Sequence, residues 1–195
     1  MKYFTLILTI FCSFGNLFSQ TIASGYYISK NSDTINARFK LKKGGFGQLN
    51  NDLTKEIIVL KSNGDSEIFM PSDIKGYEFT FEGIKYQFFS KPTNKGVNKF
   101  LTPVIIGPKT SLFQYGMNIK GNGSTMGSNQ VFYTFEKSDG TYLFLTNILN
   151  KKFKNELKEF YKEYIQVENV IDAKLNYWIE LQQDLYDILS IINNL

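Results

Sequence analysis

The sequence contains no histidine and only one cysteine, Cys12, among its 195 residues. Without histidine, the chain cannot form a Ser-His-Asp triad, a Cys-His dyad or an ordinary zinc site. Cys12 lies in an N-terminal segment that we expect to be removed, so we predict a mature chain with no disulfide and no thiolate metal site. The chemistry left open is carboxylate catalysis, a Ser-Lys pair or the binding of a hard cation.

Residues 1–19 have the pattern of a secretory signal peptide. Lys2 supplies a short basic region, Tyr3–Phe18 is an apolar run, and Ser19-Gln20 offers a small-residue cleavage point. The alternative is that the segment stays as a membrane anchor, but the run is short for a span. We therefore predict an exported protein whose mature chain has no transmembrane span.

The charge of the chain is close to balanced, with 22 Lys and Arg residues against 18 Asp and Glu residues. Such a small basic excess in an exported protein gives no support to a nucleic-acid partner. The segment Tyr164–Leu195 is acidic, with five acids and one lysine. This asymmetry suggests that the acidic C-terminal segment docks onto the more basic body of the chain.

The stretch Lys55–Ser90 predicts two β-hairpins in succession. Asn63-Gly64 is expected to form a two-residue type I′ turn, because both central residues of that turn need positive φ. This turn would pair Ile57 with Met70 on one face of the hairpin and Ile58 with Phe69 on the other. Both faces would then be apolar, which predicts a strand pair that is covered on two sides.

The second hairpin is predicted to turn at Glu82-Gly83 and to have one apolar and one polar face. A two-residue loop pairs Tyr77 with Phe88 on the apolar face. Because glutamate is poor at positive φ, a type II turn or a longer loop is the alternative. The polar face supplies four candidate ligand-binding residues: Glu78, Thr80, Lys85 and Gln87.

Two further hairpins are predicted at the start and end of the strand-rich region. The first places Gly25–Ile28 and Thr34–Leu41 on either side of a polar turn and pairs Tyr27 with Asn36. Tyr27 would then lie on a polar face, which makes it a fifth candidate ligand-binding residue, whereas other strand tyrosines are expected to pack between strands. The last hairpin turns at Asp139-Gly140 and pairs Phe135 with Phe144, and Pro103 predicts an edge strand or a bulge.

The final fifty residues contain neither glycine nor proline, and their apolar residues recur in steps of three and four. This spacing predicts two amphipathic helices with a turn at Ile165–Val167, or three helices if the chain breaks near Asn176-Tyr177. We expect the apolar stripe to pack onto the sheet. The alternative is that it forms the seam of a homodimer.

These patterns predict an α+β fold, with an antiparallel sheet of roughly eight to ten strands followed by two or three C-terminal helices. A sandwich, a curved sheet and a partial barrel all remain open. An outer-membrane barrel is the rival, but a helical last quarter argues against it. The predicted organisation is a signal peptide at 1–19, a β domain at 20–146 and a helical segment at 147–195 packed on that domain.

Three motifs suggest chemistry, and each is better explained as a turn or loop. Gly44–Gly47 lacks the Gly-Lys-Ser/Thr ending of a phosphate-binding loop. Ser72–Lys75 matches Ser-x-x-Lys, but it precedes a strand rather than opening a helix. The alternating oxygens around Asn63-Gly64 lack the rest of a calcium loop. We therefore predict no cofactor, no metal and no catalytic residue.

The segment Gly25–Ile35, following a signal peptide that ends Phe18-Ser19-Gln20, resembles a group of uncharacterised exported proteins of Bacteroidetes-type bacteria. Pro71–Tyr77 and the Lys/Glu-rich Phe153–Tyr164 are similar to the same group. The resemblance implies a cell-envelope location, in the periplasm or associated with the outer membrane, with extracellular release as the alternative. It also implies O-glycosylation at Asp33-Thr34-Ile35, which makes Thr34 a candidate modification site.

Two functional hypotheses follow. The first is a non-enzymatic envelope protein that binds another protein, or a glycan, through its sheet or its C-terminal helices. The second is a hydrolase acting on envelope polysaccharide, which needs two carboxylates within about 5–10 Å of each other. Glu78 is the best single candidate for such a carboxylate, because a strand would fix its position, but the sequence names no partner for it.

Overall fold

The computed structural model describes residues 21–42, 49, 51–119, 128–176 and 178–195. The predicted signal peptide, the Gly44–Gly47 loop and most of the polar loop at 120–129 lie outside these residues. The ten strands are β1 (Thr21–Ser29), β2 (Thr34–Leu41), β3 (Ile57–Leu60), β4 (Ser66–Phe69), β5 (Ile74–Phe81), β6 (Ile84–Pro92), β7 (Asn98–Ile105), β8 (Thr110–Ile119), β9 (Ser128–Lys137) and β10 (Tyr142–Thr146). The α-helices within the described residues are α1 (Lys151–Phe160), α2 (Ile165–Lys174) and α3 (Leu181–Asn194).

All ten strands belong to one antiparallel sheet with the order β10-β9-β8-β7-β6-β5-β1-β2-β3-β4. The three helices follow the last strand, so the predicted α+β fold is confirmed, in its curved-sheet form. We name the two faces of the sheet after neighbouring residues of β5, because side chains alternate along a strand. The Tyr77 face carries most of the core, and the Glu78 face carries the predicted polar site.

The sheet is strongly curved, as the connection between β4 and β5 requires. Four residues, Met70–Asp73, join these strands, although β1, β2 and β3 lie between them in the sheet. A flat sheet would separate β4 from β5 by about 19 Å, yet the connection is a turn, closed by the Asp73 N–H donating to the Met70 carbonyl at 2.9 Å. The strands therefore curl around the Tyr77 face, and the rings of Tyr27 and Phe69 meet across the curl at 5.0 Å.

Four hairpins close with the same three-residue turn. The N–H of the first residue donates to the carbonyl of the fifth, and the N–H of the fourth donates to the carbonyl of the first, at 2.8–3.1 Å. The fourth residue has φ between 71° and 91°, as a type I turn followed by a bulge requires. The turns span Ser29–Asp33, Lys61–Asp65, Thr93–Val97 and Lys137–Thr141, with Ser32, Gly64, Gly96 and Gly140 as their fourth residues.

This turn corrects three predicted registers by one residue each. Tyr27 is opposite Ile35 rather than Asn36. Ile57 is opposite Phe69 rather than Met70. Phe135 is opposite Leu143 rather than Phe144. The physical reason is the same in all three hairpins: each loop holds three residues, and only the last of them has positive φ. The predicted type I′ turn at Asn63-Gly64 is therefore wrong, because it needs positive φ at both residues.

The predicted cover on both sides of the β3–β4 hairpin is also wrong. β4 is the outermost strand at this end of the sheet, and Ile68 is 53% exposed while Met70 is 44% exposed. The corrected register places polar Glu67 opposite Val59. The hairpin is therefore the edge of the sheet rather than its centre.

The β5–β6 hairpin, by contrast, has the predicted register. Tyr77 is opposite Phe88, Glu78 is opposite Gln87, and Thr80 is opposite Lys85. Glu82 has φ of 50° and Gly83 has φ of 77°, so the turn holds two residues that both have positive φ, and the alternatives of a type II turn or a longer loop are excluded. The prediction for Pro103 is confirmed in its second form, because a register shift between Pro103 and Ile105 makes a bulge in the interior strand β7.

The core of the first half of the sheet consists of aromatic rings on the Tyr77 face. Tyr77 packs edge-on against Phe100 with ring centroids 4.8 Å apart and stacks on Phe88 at 4.8 Å. Its hydroxyl donates to the carbonyl of Leu53 at 2.6 Å, which ties the short 3₁₀ helix Asn51–Thr54 over the core. Burial raises the pKa of Tyr77 well above its ordinary value.

The helices cover the same face of β8–β10, and their apolar stripe is buried there. Asn150 caps α1 by accepting a hydrogen bond from the N–H of Phe153 at 2.9 Å. The predicted turn at Ile165–Val167 is wrong, because these residues begin α2 and the turn lies at 161–164. A break after Lys174 gives three helices. Along the described ranges, no helix is long and apolar enough to cross a membrane.

Candidate functional site

Four of the predicted ligand-binding residues lie together on the Glu78 face, where β5 and β6 pair. Glu78 is opposite Gln87, and Thr80 is opposite Lys85 on the neighbouring pair of the same face. The ammonium of Lys85 lies 2.9 Å from Glu78 Oε1, with the Glu78 side chain 14% exposed and the Lys85 side chain 64% exposed. The Glu78 carboxylate is therefore largely buried against the sheet, whereas the Lys85 side chain is exposed to solvent.

The fifth predicted residue, Tyr27, does not belong to this group. The corrected register turns Tyr27 to the Tyr77 face, where it packs on the core beside Phe69. Tyr26 takes its place and is directly opposite Glu78 on the adjacent strand. The Tyr26 hydroxyl donates to Glu78 Oε2 at 2.8 Å. This hydrogen bond, with a smaller effect of burial, raises the pKa of Tyr26.

The polar surface continues beyond these residues onto β1 and β2. Ser24 is opposite Arg38 and Thr80 on its two sides, and Tyr26 is opposite Asn36. Ser24, Asn36 and Arg38 are all exposed. We call this set the Glu78 surface, and its residues are Ser24, Tyr26, Asn36, Arg38, Glu78, Thr80, Lys85 and Gln87.

Both oxygens of Glu78 are occupied, one by the Tyr26 hydroxyl and the other by the Lys85 ammonium. A carboxylate held in this way is a fixed hydrogen-bonding group rather than a free acid or base. Among the residues with described positions, no three His, Cys, Asp or Glu side chains come close enough to hold a metal ion. The arrangement is suited to recognition of a polar ligand.

The two other motifs that lie within the described residues do not form sites. Ser72 donates to the Asp73 carboxylate at 3.2 Å, whereas Lys75 donates to Ser32 at 2.6 Å, so the Ser-x-x-Lys pair is not assembled. The Asn63 amide donates to the Asp65 carboxylate at 2.7 Å, which uses these oxygens within the turn.

Thr34, the candidate modification site, is exposed at the first position of β2. The neighbouring Asp33 carboxylate accepts a hydrogen bond from the Ser29 hydroxyl at 3.2 Å. An approaching enzyme would therefore meet an open threonine beside a carboxylate held in place by the turn. Its modification stays a prediction.

A second Tyr-Glu-Lys cluster, which the sequence did not indicate, lies on the same face between β6 and β9. Lys91 contacts Glu136 Oε2 at 2.5 Å, with both side chains about four-fifths buried, and the Tyr142 hydroxyl donates to Glu136 Oε1 at 2.8 Å. Burial, followed by this hydrogen bond, raises the pKa of Tyr142 to about 12. The Lys91 ammonium also lies 4.7 Å from the centre of the Phe113 ring. The cluster bridges two strands that are not neighbours, so we assign it to holding the curvature of this half of the sheet.

Two cavities lie beside the last strand, where α1 crosses it. One, of 530 Å³, lies between Leu143 and Phe160, and the other, of 310 Å³, lies between Phe144 and Phe153. Glu156 lines both. We call these two cavities together the α1–β10 groove.

No protein family, no curated protein and no solved structure matches the chain. Its function is therefore inferred from its own residues, and the resemblance to exported Bacteroidetes-type proteins stays a prediction.

Proposed function

We propose that the chain is an exported, non-enzymatic protein of the cell envelope that recognises a glycan on the Glu78 surface. The observation that carries this proposal is the continuous polar face over β2, β1, β5 and β6, with the Glu78 carboxylate fixed at its centre by Tyr26 and Lys85. Four strands span about 15 Å, so the surface suits a polymer lying across it. Small molecules, in contrast, prefer concave sites.

The residue types on this surface match the chemistry of a sugar. Sugar hydroxyls both donate and accept hydrogen bonds, and the surface offers a carboxylate acceptor at Glu78, an ammonium donor at Lys85 and both functions at Gln87. The Tyr26 ring is half-buried beside them and supplies an amphipathic face for the sugar ring. Arg38 and Asn36 extend the same pattern onto β2.

The hydrolase hypothesis is less well supported, because it needs a free general acid and a second carboxylate facing the first. The Glu78 carboxylate instead contacts the Tyr26 hydroxyl and the Lys85 ammonium. A protein partner is the second candidate function. It is favoured by the apolar lining of the α1–β10 groove, where Leu143 and Phe160 face solvent across a cavity of 530 Å³.

Binding is tested by titrating the mature protein with polysaccharide purified from bacterial outer membranes, followed by calorimetry. We expect Glu78→Gln and Gln87→Ala each to weaken binding by about fivefold, since each removes one ligand hydrogen bond worth about 1 kcal/mol. Glu67→Gln is the control, because Glu67 also forms an ion pair with a lysine, Lys61, at 3.2 Å, but on the far edge strand. Binding that is absent in the wild type, or equal in all variants, contradicts the proposal. Release of reducing ends from the polysaccharide would instead establish a hydrolase.

A further inference from the structure

The last strand of the sheet has one unpaired edge. β10 pairs with β9 on one side, and no other strand in the described part of the chain lies beside it. Along an antiparallel pair, successive residues point their backbone groups alternately to one neighbour and to the other. The Lys137 N–H donates to the Thr141 carbonyl at 3.0 Å and the Asn147 N–H donates to the Val131 carbonyl at 2.9 Å, so odd-numbered residues of β10 face β9. The N–H and carbonyl groups of Tyr142, Phe144 and Thr146 therefore point outward.

The sequence and pairing of this edge lack the charged residues, prolines and bulges that usually prevent one sheet from pairing with another. Soluble proteins protect their edge strands with charged side chains, prolines, bulges or very short strands. The opposite edge has such protection, since β4 has four residues, includes Glu67 paired with Lys61, and is followed by Pro71. β10 instead has the sequence Tyr-Leu-Phe-Leu-Thr and has regular pairing along its whole length.

The two cavities of the α1–β10 groove lie beside this strand and are lined by both apolar and charged side chains. Leu143 and Phe160 line one cavity, and Phe144 and Phe153 line the other. Ile148, which follows the strand, is 59% exposed. A strand placed against β10 would gain backbone hydrogen bonds and cover these side chains at the same time.

We propose that β10 pairs antiparallel with β10 of a second copy of this chain, about a two-fold axis at Phe144. Pairing in this register places each Phe144 opposite its counterpart, and the outward groups at 142, 144 and 146 supply roughly six hydrogen bonds. Tyr142 comes opposite Thr146 of the other copy on the Glu78 face. Leu143 comes opposite Leu145 of the other copy on the Tyr77 face.

The symmetry of the strand selects a second copy over a different protein. Leu143 and Leu145 flank Phe144 evenly, so a single two-fold axis matches apolar residues on both faces, and such self-complementary contacts are the commonest in oligomers. The charges that line the groove are also balanced. Lys137 and Lys152 stand against Glu156 and Glu159, so two copies meet without net repulsion.

The apolar stripe of the helices is not available to form a dimer seam. The apolar stripe that suggested a helical seam is used inside the monomer, where Leu185, Ile188 and Ile192 are fully buried. A dimer formed through the sheet edge is therefore a separate inference from the helical seam expected from sequence. It does not depend on the glycan proposal, because the Glu78 surface lies on β1, β2, β5 and β6.

Sedimentation equilibrium of the mature wild-type protein tests the proposal, with twice the monomer mass expected. Phe144→Pro removes an N–H that the monomer does not use and is expected to give a monomer with an unchanged circular dichroism spectrum. Ile68→Pro is the matched control. Ile68 is an exposed apolar residue whose N–H points outward from the opposite edge strand, so this variant should stay dimeric.

Cysteine crosslinking gives a second measurement in case the proline variant fails to fold. The only natural cysteine, Cys12, lies in the predicted signal peptide, so each introduced cysteine is unique in the mature chain. Hydrogen-bonded antiparallel partners have Cα atoms about 5.5 Å apart, within the range of a disulfide. Phe144→Cys should therefore form a covalent dimer on mild oxidation, and Ile68→Cys should not. A monomeric wild type, a dimeric Phe144→Pro variant, or equal crosslinking at both positions overturns the proposal.

Discussion

The side chain of Asn193 joins the end of α3 to the sheet by hydrogen bonds, and Asn193→Ala should measurably lower the free energy of unfolding. Its side-chain oxygen accepts hydrogen bonds from the backbone N–H groups of Lys109 and Thr110, both at 3.0 Å. Its amide donates to the Thr110 carbonyl at 3.0 Å. The side chain thus pairs with the backbone where β8 begins, much as a neighbouring strand would.

The magnitude follows from these three bonds. A hydrogen bond contributes about 1 kcal/mol net, and the site is only part-buried, so water can replace some of the loss. Asn193→Ala should therefore lower the free energy of unfolding by about 2–3 kcal/mol. Asn194→Ala, at the exposed neighbouring position, is the matched control and should change it by less than about 0.5 kcal/mol.

Gly107 supplies an independent test of the same contact. A Cβ built at this position would overlap the side-chain amide of Asn193, so Gly107→Ala should displace that side chain and cost about as much as Asn193→Ala. Once Asn193 is alanine the obstacle is gone. The double variant should then cost little more than either single variant, which gives a coupling energy of about 2 kcal/mol.

Urea unfolding followed by circular dichroism, with linear extrapolation to water, measures all four free energies. If the unfolding free energy depends on urea concentration with the same slope in all four proteins, the variants differ in stability alone. Additive costs in the double variant would refute the reasoning, because they would mean that Gly107 and Asn193 act separately. A near-neutral Asn193→Ala variant would show that the three hydrogen bonds are readily replaced by water.

Two further predictions concern the tyrosines and the turns. Tyr142 has its pKa raised to about 12 in the folded chain, above the unfolded value of about 10, so the stability it contributes is complete below pH 10 and is lost as the pH rises through 12. Tyrosinate absorbance and circular dichroism should therefore change together in that interval, and a full tyrosinate titration near pH 10 with the fold intact would contradict this. Gly64→Ala and Gly140→Ala should each cost about 1 kcal/mol in unfolding free energy, because both residues have positive φ and a Cβ there meets no other atom. Gly116→Ala, equally free of contacts but without positive φ, should be near neutral, and equal costs at all three positions would refute the argument.

The parts of the fold that the sequence predicted correctly depend on local signals. Glu82-Gly83 lies between two strands that alternate regularly, so both the register and the polar face of the β5–β6 hairpin followed from residues close together in the chain. The helices were predictable for the same reason, since the final segment has no glycine or proline to interrupt its spacing. The bulge at Pro103 followed from the missing N–H of one residue.

The parts that could not be predicted depend on pairing between distant strands. β1 lies between β2 and β5, so the hydrogen bond from Tyr26 to Glu78 joins residues 52 positions apart. The contact of Lys91 with Glu136 spans 45 positions and arises only because the sheet is curved. The residue pattern within a strand does not indicate which other strand will lie beside it in the sheet.

Which residues of β2 belong to the Glu78 surface depends on the conformation of one turn residue. A turn of three residues between Ser29 and Asp33 needs positive φ at Ser32, and a serine there gives no signal comparable to the glycines at the other three turns. Adding one residue to the loop moves every side chain of β1 relative to β2, which is why Tyr27 was predicted on the polar face that Tyr26 occupies. Because glycine relieves the strain of positive φ, Ser32→Gly would keep this register. A substitution that favours the four-residue loop would instead turn Asn36 and Arg38 of β2 away from the Glu78 surface, while the pairing of β1 with β5 would keep Tyr26 opposite Glu78.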